Sequence, residues 1–259
     1  MRTSVGKRYW EIDALRGFAL LLMIFFHTFA CMVMFHMIDE TPAFMQFYQF
    51  YLTSTVTFVT VAGVSLILRH ARIKGSTKKS YIKSVVIKAT VLFVIAMIIT
   101  LVTWAYSVLV LGGGAFIQFG FLHMLSISMV LALPFLRFGK WNIFIGGVLI
   151  CAGIFLLPLI TEPAWLFPVG IHSAQFLIHS MEYFPLLPWF GVLLLGAGVG
   201  SVLYPNGIRR FHLRECGAVG HALAKIGNGK VTLVVYLAHA PVIMLILWII
   251  STVTGIGGV

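Results

Sequence analysis

Every lysine and arginine of this chain, 18 in all, falls on an alternate connection between long uncharged apolar runs, or in the first turns of the helix that such a connection feeds. The amino-terminal stretch carries Arg2, Lys7 and Arg8, whereas the next connection, Asp39 to Pro42, carries only acid. A strongly basic connection follows (Arg69, Arg72, Lys74, Lys78, Lys79, Lys83, Lys88), then the uncharged Gly112-Gly113-Gly114, then Arg137 and Lys140. The stretch after that holds only Glu162 and Glu182, and the last basic connection holds Arg209, Arg210, Arg214, Lys225 and Lys230. Short loops rich in Lys and Arg stay on the cytoplasmic side of a bilayer. The pattern therefore predicts a polytopic membrane protein with a cytoplasmic N-terminus and an extracytoplasmic C-terminus. The net charge of +11 follows from that topology and is no sign of nucleic-acid binding.

Composition agrees. Of 259 residues, 60% are hydrophobic and 10% charged, and the mean hydropathy is +1.03. Soluble domains carry about 25% charged residues. A span of hydrocarbon needs roughly 20 apolar residues. Uncharged runs of that order occur at Gly17–Ile38, Ala43–Leu68, Ala89–Leu136, Trp141–Thr161, Tyr183–Ile208 and Val231–Val259. The third has 48 residues and is expected to hold two helices turning at the glycine triplet. The expectation is an all-α protein of seven transmembrane helices, one membrane-embedded domain over residues 1–259, in the cell membrane and in contact with its lipids. Closed barrels would show short strands of alternating polarity instead. The first run is too long for a cleavable signal and lacks a cleavage site, so it is expected to remain as a span. Cys31, Cys151 and Cys216 show no paired spacing.

Ionisable side chains inside spans are expensive and mark function. Arg16 lies near the cytoplasmic end of the first span with Asp13 at i−3 as an ion-pair partner. Eleven residues further on, His27 returns to the same helical face, about 16 Å along the axis. His36 lies nearer the outer surface. Counting along the spans puts His27, His123 and His239 in the middle third of the bilayer, facing the bundle interior or a wet cavity. Each imidazole has a plainer alternative, a hydrogen bond to a neighbouring helix. These histidines show no repeated facing pairs of the kind that ligate haem. The last span has no lysine beyond Lys230 for a retinal-type linkage, and no metal site is expected. In the external stretch, His172, Gln175, His179 and Glu182 recur at helical spacing, which predicts an interfacial helix with one polar face.

Four segments carry a family resemblance. Glu11-Ile12-Asp13-Ala14-Leu15-Arg16-Gly17, followed by Phe26-His27, resembles the first span of the transmembrane acyltransferase superfamily, with its Arg-x10-His element. Phe119-Gly120-Phe121-Leu122-His123-Met124, the run Tyr183 to Gly191, and Tyr236-Leu237-Ala238-His239-Ala240-Pro241 are similar to a narrower group. That group is the prokaryotic relatives of the heparan-α-glucosaminide N-acetyltransferase catalytic domain. The resemblance implies transfer of an acyl group, acetyl first of all, from cytoplasmic acetyl-CoA or another acyl-CoA to an extracytoplasmic glycan or lipid-linked sugar. It implies catalytic roles among His27, His36, His123 and His239, with Arg16 and Asp13 toward the donor and Glu182, His179 and Gln175 toward the acceptor. The eukaryotic enzyme resembles this chain with Asn in place of His27 and its catalytic histidine closer to His36, so two histidines compete for one role. The competing class is a transporter or flippase that relays protons through its histidines. Whether the chain forms a homo-oligomer is left open.

Overall fold

A chain in hydrocarbon must satisfy its backbone internally, which favours helices throughout. The computed structural model describes residues 8–39, 42–73, 78–110, 112–214 and 216–256. Arg2, Lys7, Glu40, Lys74 and the C-terminal residues 257–259 lie outside the described residues. Among the described residues 78% are helical and none forms a strand. Six segments of the described residues are long and apolar enough to cross a membrane: Trp10–Met34, Phe47–Ala71, Lys78–Leu109, Phe135–Leu159, Leu186–Leu203 and Gly229–Thr254. They correspond to α1 (Trp10–Met34), α2 (Pro42–Arg72), α3 (Lys78–Val110), a composite segment containing α5 (Asn142–Cys151), α7 (Leu186–Leu203) and α9 (Gly229–Thr254). Shorter helices are α4 (Phe121–Leu131), α6 (Ala174–Ile178) and α8 (Ala218–Ile226).

The long run after Ala89 turns where the glycines stand. Gly112, Gly113 and Gly114 all adopt positive φ (69°, 102° and 152°), a region that side chains with a Cβ disfavour. Beyond the turn the expected fourth span is a non-helical stretch followed by α4, whose 11 residues reach only about 16 Å. Such a helix alone is shorter than the ~30 Å of hydrocarbon. The irregular stretch is buried only where it joins α4, at Phe119 and Gly120, and the helix itself is well covered, with Phe121 through Ser126 all buried.

The chain divides into two compact units, one within Ala62–His212 and the other within Lys7–Val61 and Leu213–Val259. In the first, α7 packs on α5 and α4, and α3 packs on α4. The α5–α7 crossing is set by small residues. A Cβ on Gly146 would stand 2.6 Å from the Gly191 carbonyl oxygen, and one on Gly191 would stand 2.7 Å from that of Gly146. Met124, Leu193 and Leu194 are fully buried between these elements. Large apolar residues on α3, such as Leu101 and Leu109, remain exposed. In a bilayer their solvent is lipid.

In the second unit α1 packs on α8 and α9, and the Ser54 hydroxyl of α2 donates to the Ala19 carbonyl at 2.7 Å. The α1–α8 contact is backbone against backbone. A Cβ on Gly17 would overlap the Leu223 carbonyl, and one on Gly227 would overlap the Asp13 carbonyl. Because the obstructing atoms are main chain, no rotamer change relieves the clash. Gly17→Ala is expected to lower stability by about 2 kcal/mol, in the range of overpacked interiors, read as a drop in thermal unfolding midpoint. The same change at Gly147, inside α5 where a Cβ meets nothing within 4 Å, is expected not to lower the midpoint and to raise it slightly through helix propensity.

Candidate functional site

In the α1/α8/α9 unit, two of the expected histidines come together. The rings of His27 on α1 and His239 on α9 lie 4.8 Å apart, centroid to centroid, edge to face at 87°. Each ring is held by its own helix. His27 Nδ1 lies 2.9 Å from the Met23 carbonyl oxygen, and His239 Nδ1 bonds the Tyr236 carbonyl oxygen. A carbonyl only accepts, so in both rings Nδ1 carries the proton and Nε2 carries the lone pair. His239 Nε2 is buried and has no hydrogen-bond partner. Two adjacent imidazoles thus present basic nitrogens without a donor between them, an arrangement suited to accepting a proton or attacking an electrophilic carbon.

Arg16 occupies the same face of α1, toward the α8 end. Its Nη1 donates to Asp13 Oδ1 and to the Gly227 carbonyl, each at 2.8 Å. Asp13 Oδ2 also lies 3.4 Å from Arg8 Nε. The guanidinium therefore sits at the C-terminal carbonyls of α8, where a cation is favoured. This use of Arg16 is structural whatever else it does.

His36 is separated from this pair. It follows α1, with the His36 N–H donating to the Val33 carbonyl and the Met37 N–H to the Met32 carbonyl, both at 2.9 Å. These two bonds form a Schellman turn whose left-handed residue is normally glycine. His36 takes that place with φ 52° and is exposed.

The other unit holds His123, Glu182, His179 and Gln175. Residues 116–119 run beside residues 179–184, joined by Phe116 N–H to the His179 carbonyl, Met181 N–H to the Phe116 carbonyl and Phe184 N–H to the Phe119 carbonyl. That pairing carries Glu182 to the first turn of α4, where its Oε1 accepts the Phe121 N–H at 3.2 Å. Gly120 leaves the space, since a Cβ there would stand 2.9 Å from Glu182 Oε2. Gly120 carries no titratable group to mark it in the sequence, although it lies inside the Phe119–Met124 motif. Two residues beyond Phe121, His123 Nδ1 accepts the Gly120 N–H at 3.2 Å.

The expected polar helix face does not extend over its four residues. α6 spans only Ala174–Ile178, because the pairing with residues 116–119 takes the backbone bonds that would continue it. Gln175 and His179 stay together at the surface, with His179 Nδ1 2.9 Å from the Gln175 carbonyl oxygen. His172 instead packs edge-on against Tyr183 at 5.0 Å. Glu182 alone turns inward. Among the described residues no group of three or more His, Cys, Asp or Glu could hold a metal ion.

The geometry can be set beside known proteins. The family model for the catalytic domain of heparan-alpha-glucosaminide N-acetyltransferase matches residues 8–241. The chain belongs to this family. No curated protein and no solved structure matches it. The family match spans all four histidines, Arg16, Asp13 and Glu182, and it supports a transferase embedded in a membrane.

Two measurements separate structural from chemical roles in this family member. Replacing His36 by glycine relieves the left-handed backbone and is expected to raise stability by about 1 kcal/mol, while the activity of the same variant reads any chemical role. Burial pushes the Glu182 carboxyl above the usual carboxylate range, with the Phe121 N–H offsetting part of the effect. The folded protein thus holds this proton more tightly than the unfolded chain. The stability so gained is complete below the ordinary carboxylate range and fades as pH rises through the raised value. Unfolding midpoints measured from about pH 5 to about pH 8 are expected to fall less steeply in Glu182→Gln than in the unmodified protein.

Proposed function

We propose that this protein is a membrane-embedded acyltransferase that moves an acyl group, acetyl first of all, from cytoplasmic acyl-CoA to an extracytoplasmic sugar or glycan. The observation that carries the reading is the His27–His239 pair, with both Nδ1 protons committed to helix carbonyls and lone pairs left at Nε2. Acyl transfer needs such a group. The acceptor's amine or hydroxyl loses a proton as it attacks the thioester carbon, and the C–S bond breaks. The proton taken up at Nε2 is then returned to the departing CoA thiolate. An Nε2 lone pair is equally able to attack the thioester carbon itself.

The proposed orientation is seven crossings with the N-terminus inside. Arg137 and Lys140 follow α4, so keeping them on the side of the other basic connections requires the stretch from Gly112 to Leu131 to return the chain across the membrane. That stretch combines about nine residues at up to ~3.3 Å each with the ~16 Å of α4, enough to cross. Basic cytoplasmic connections would then attract the phosphates of CoA. Arg16 and Asp13, at the α1–α8 junction, stand on the donor side of this reading. Glu182, Gln175 and His179 are assigned to the acceptor in the same reading.

Reconstituted protein, labelled acetyl-CoA and a panel of amino sugars test the proposal. His27→Ala and His239→Ala are each expected to lower transfer by about 10²–10⁴-fold, as for loss of a general base. Full activity in His27→Ala with loss in His36→Ala would move the role to His36. Acetyl-CoA is also expected to stabilise the protein before any transfer, by about 2.7 kcal/mol at a hundredfold excess over Kd. Absence of that effect with every acyl-CoA tried favours a proton-relaying transporter instead.

A further inference from the structure

The tautomer of His123 is opposite to that of the His27–His239 pair. Its Nδ1 accepts a backbone N–H, from Gly120 at 3.2 Å, so Nδ1 carries the lone pair and Nε2 carries the proton. The side chain is only 3% exposed, and Nε2 is buried with no hydrogen-bond partner. A buried donor left without an acceptor is costly, and native structures retain few of them without a use. The ring is also fixed in direction. It stacks on Phe119 (5.5 Å, 25°) and meets Phe93 edge to face (5.6 Å, 89°). Turning the ring over would break the Gly120 bond. The Nε2–H is therefore a preorganised donor for an oxygen atom that the protein itself does not supply.

We infer that His123 binds a hydroxyl or ring oxygen of the acyl acceptor through its Nε2–H and takes no proton from it, which makes His123 a recognition residue and not the base. This rests on the acyltransferase reading for the identity of the ligand. The chemistry around the ring suits a saccharide. The Glu182 carboxyl, bonded to the Phe121 N–H at the same turn of α4, offers an acceptor for a hydroxyl or an amine. A polyhydroxylated ring both donates and accepts, so it can use a fixed N–H and a carboxyl together. A purely basic imidazole would need its lone pair toward the ligand, and here the lone pair is spent on the Gly120 N–H.

The test uses the full chain in lipid nanodiscs with D-glucosamine as the probe. His123→Asn keeps an oxygen for the Gly120 N–H and removes the Nε2–H, whereas His123→Gln restores an amide N–H near the lost position. The expected result for His123→Asn is a rise of about tenfold in the glucosamine concentration needed for half-maximal thermal shift and in KM, equivalent to one lost hydrogen bond. The kcat at saturating glucosamine and the pH profile should change little, and His123→Gln should recover most of the affinity. The acetyl-CoA-induced shift should be the same in all variants. Unchanged glucosamine affinity in His123→Asn overturns the inference and leaves a buried water as the partner of Nε2–H. A collapse of kcat with an altered pH profile at constant KM overturns it in favour of a base. Failure of glucosamine to shift the unmodified protein also overturns it. Failure of acetyl-CoA alone to bind defeats the acyltransferase reading, and the glucosamine arm still reports on His123.

Discussion

Hydrocarbon offers no hydrogen-bond partner, and most of this structure follows from that constraint. Backbone groups close on themselves in helices, and polar side chains inside spans borrow carbonyls from their own helices or from neighbours. Ser54 finds Ala19, Thr28 finds Ile24 and Thr103 finds Ile99. The same economy acts on the histidines. An imidazole in a helix has the carbonyls of preceding turns within reach, and bonding one of them decides which ring nitrogen keeps the proton. His27 and His239 donate backward to such carbonyls and expose lone pairs. His123 lies in the first turn of its helix, where N–H groups and not carbonyls lack partners, so it accepts and exposes a donor.

Position along a helix thus divides the histidines into chemical types. Mid-helix histidines keep a lone pair at Nε2, and a first-turn histidine keeps its proton there. His36, just past a helix end, belongs to neither type and instead occupies a turn position that glycine would fill with less strain. The polar apparatus beside α1 is equally dependent on helix ends. Arg16 links the acidic first turn of its own helix with the carbonyl end of α8, and Gly17 and Gly227 let those backbones approach closely enough for the link to form.

Much of this was legible in the chain. Alternation of basic and uncharged connections located the spans, and the glycine triplet located the turn after α3. The 11-residue repeat from Arg16 to His27 put both on one face, and in the structure both turn toward the same side of α1, Arg16 to Gly227 and His27 to His239. Other readings did not survive at the same resolution. Helical spacing from His172 to Glu182 suggested one continuous polar face, but a local period takes no account of a competing backbone. Phe116 and Phe119 supply one, ending α6 early and drawing Glu182 onto α4. The part of the Ala89–Leu136 run beyond the glycine triplet was long enough for a regular span, yet it is not helical before Phe121, since hydropathy registers apolar length without registering how the backbone is arranged.

Sequence by itself determined the solvent and the inventory: a chain this apolar, with its cations so segregated, lies in a membrane, and its few intramembrane ionisable groups are the ones whose partners matter. Tertiary structure decided what those groups are able to do. Which ring nitrogen holds the proton, whether a guanidinium is tied to a carbonyl, and whether a carboxyl reaches a helix end all depend on atoms supplied by other turns or distant segments. A histidine has the same letter in all four places. Only its partners decide whether it presents a lone pair, an N–H or a strained turn.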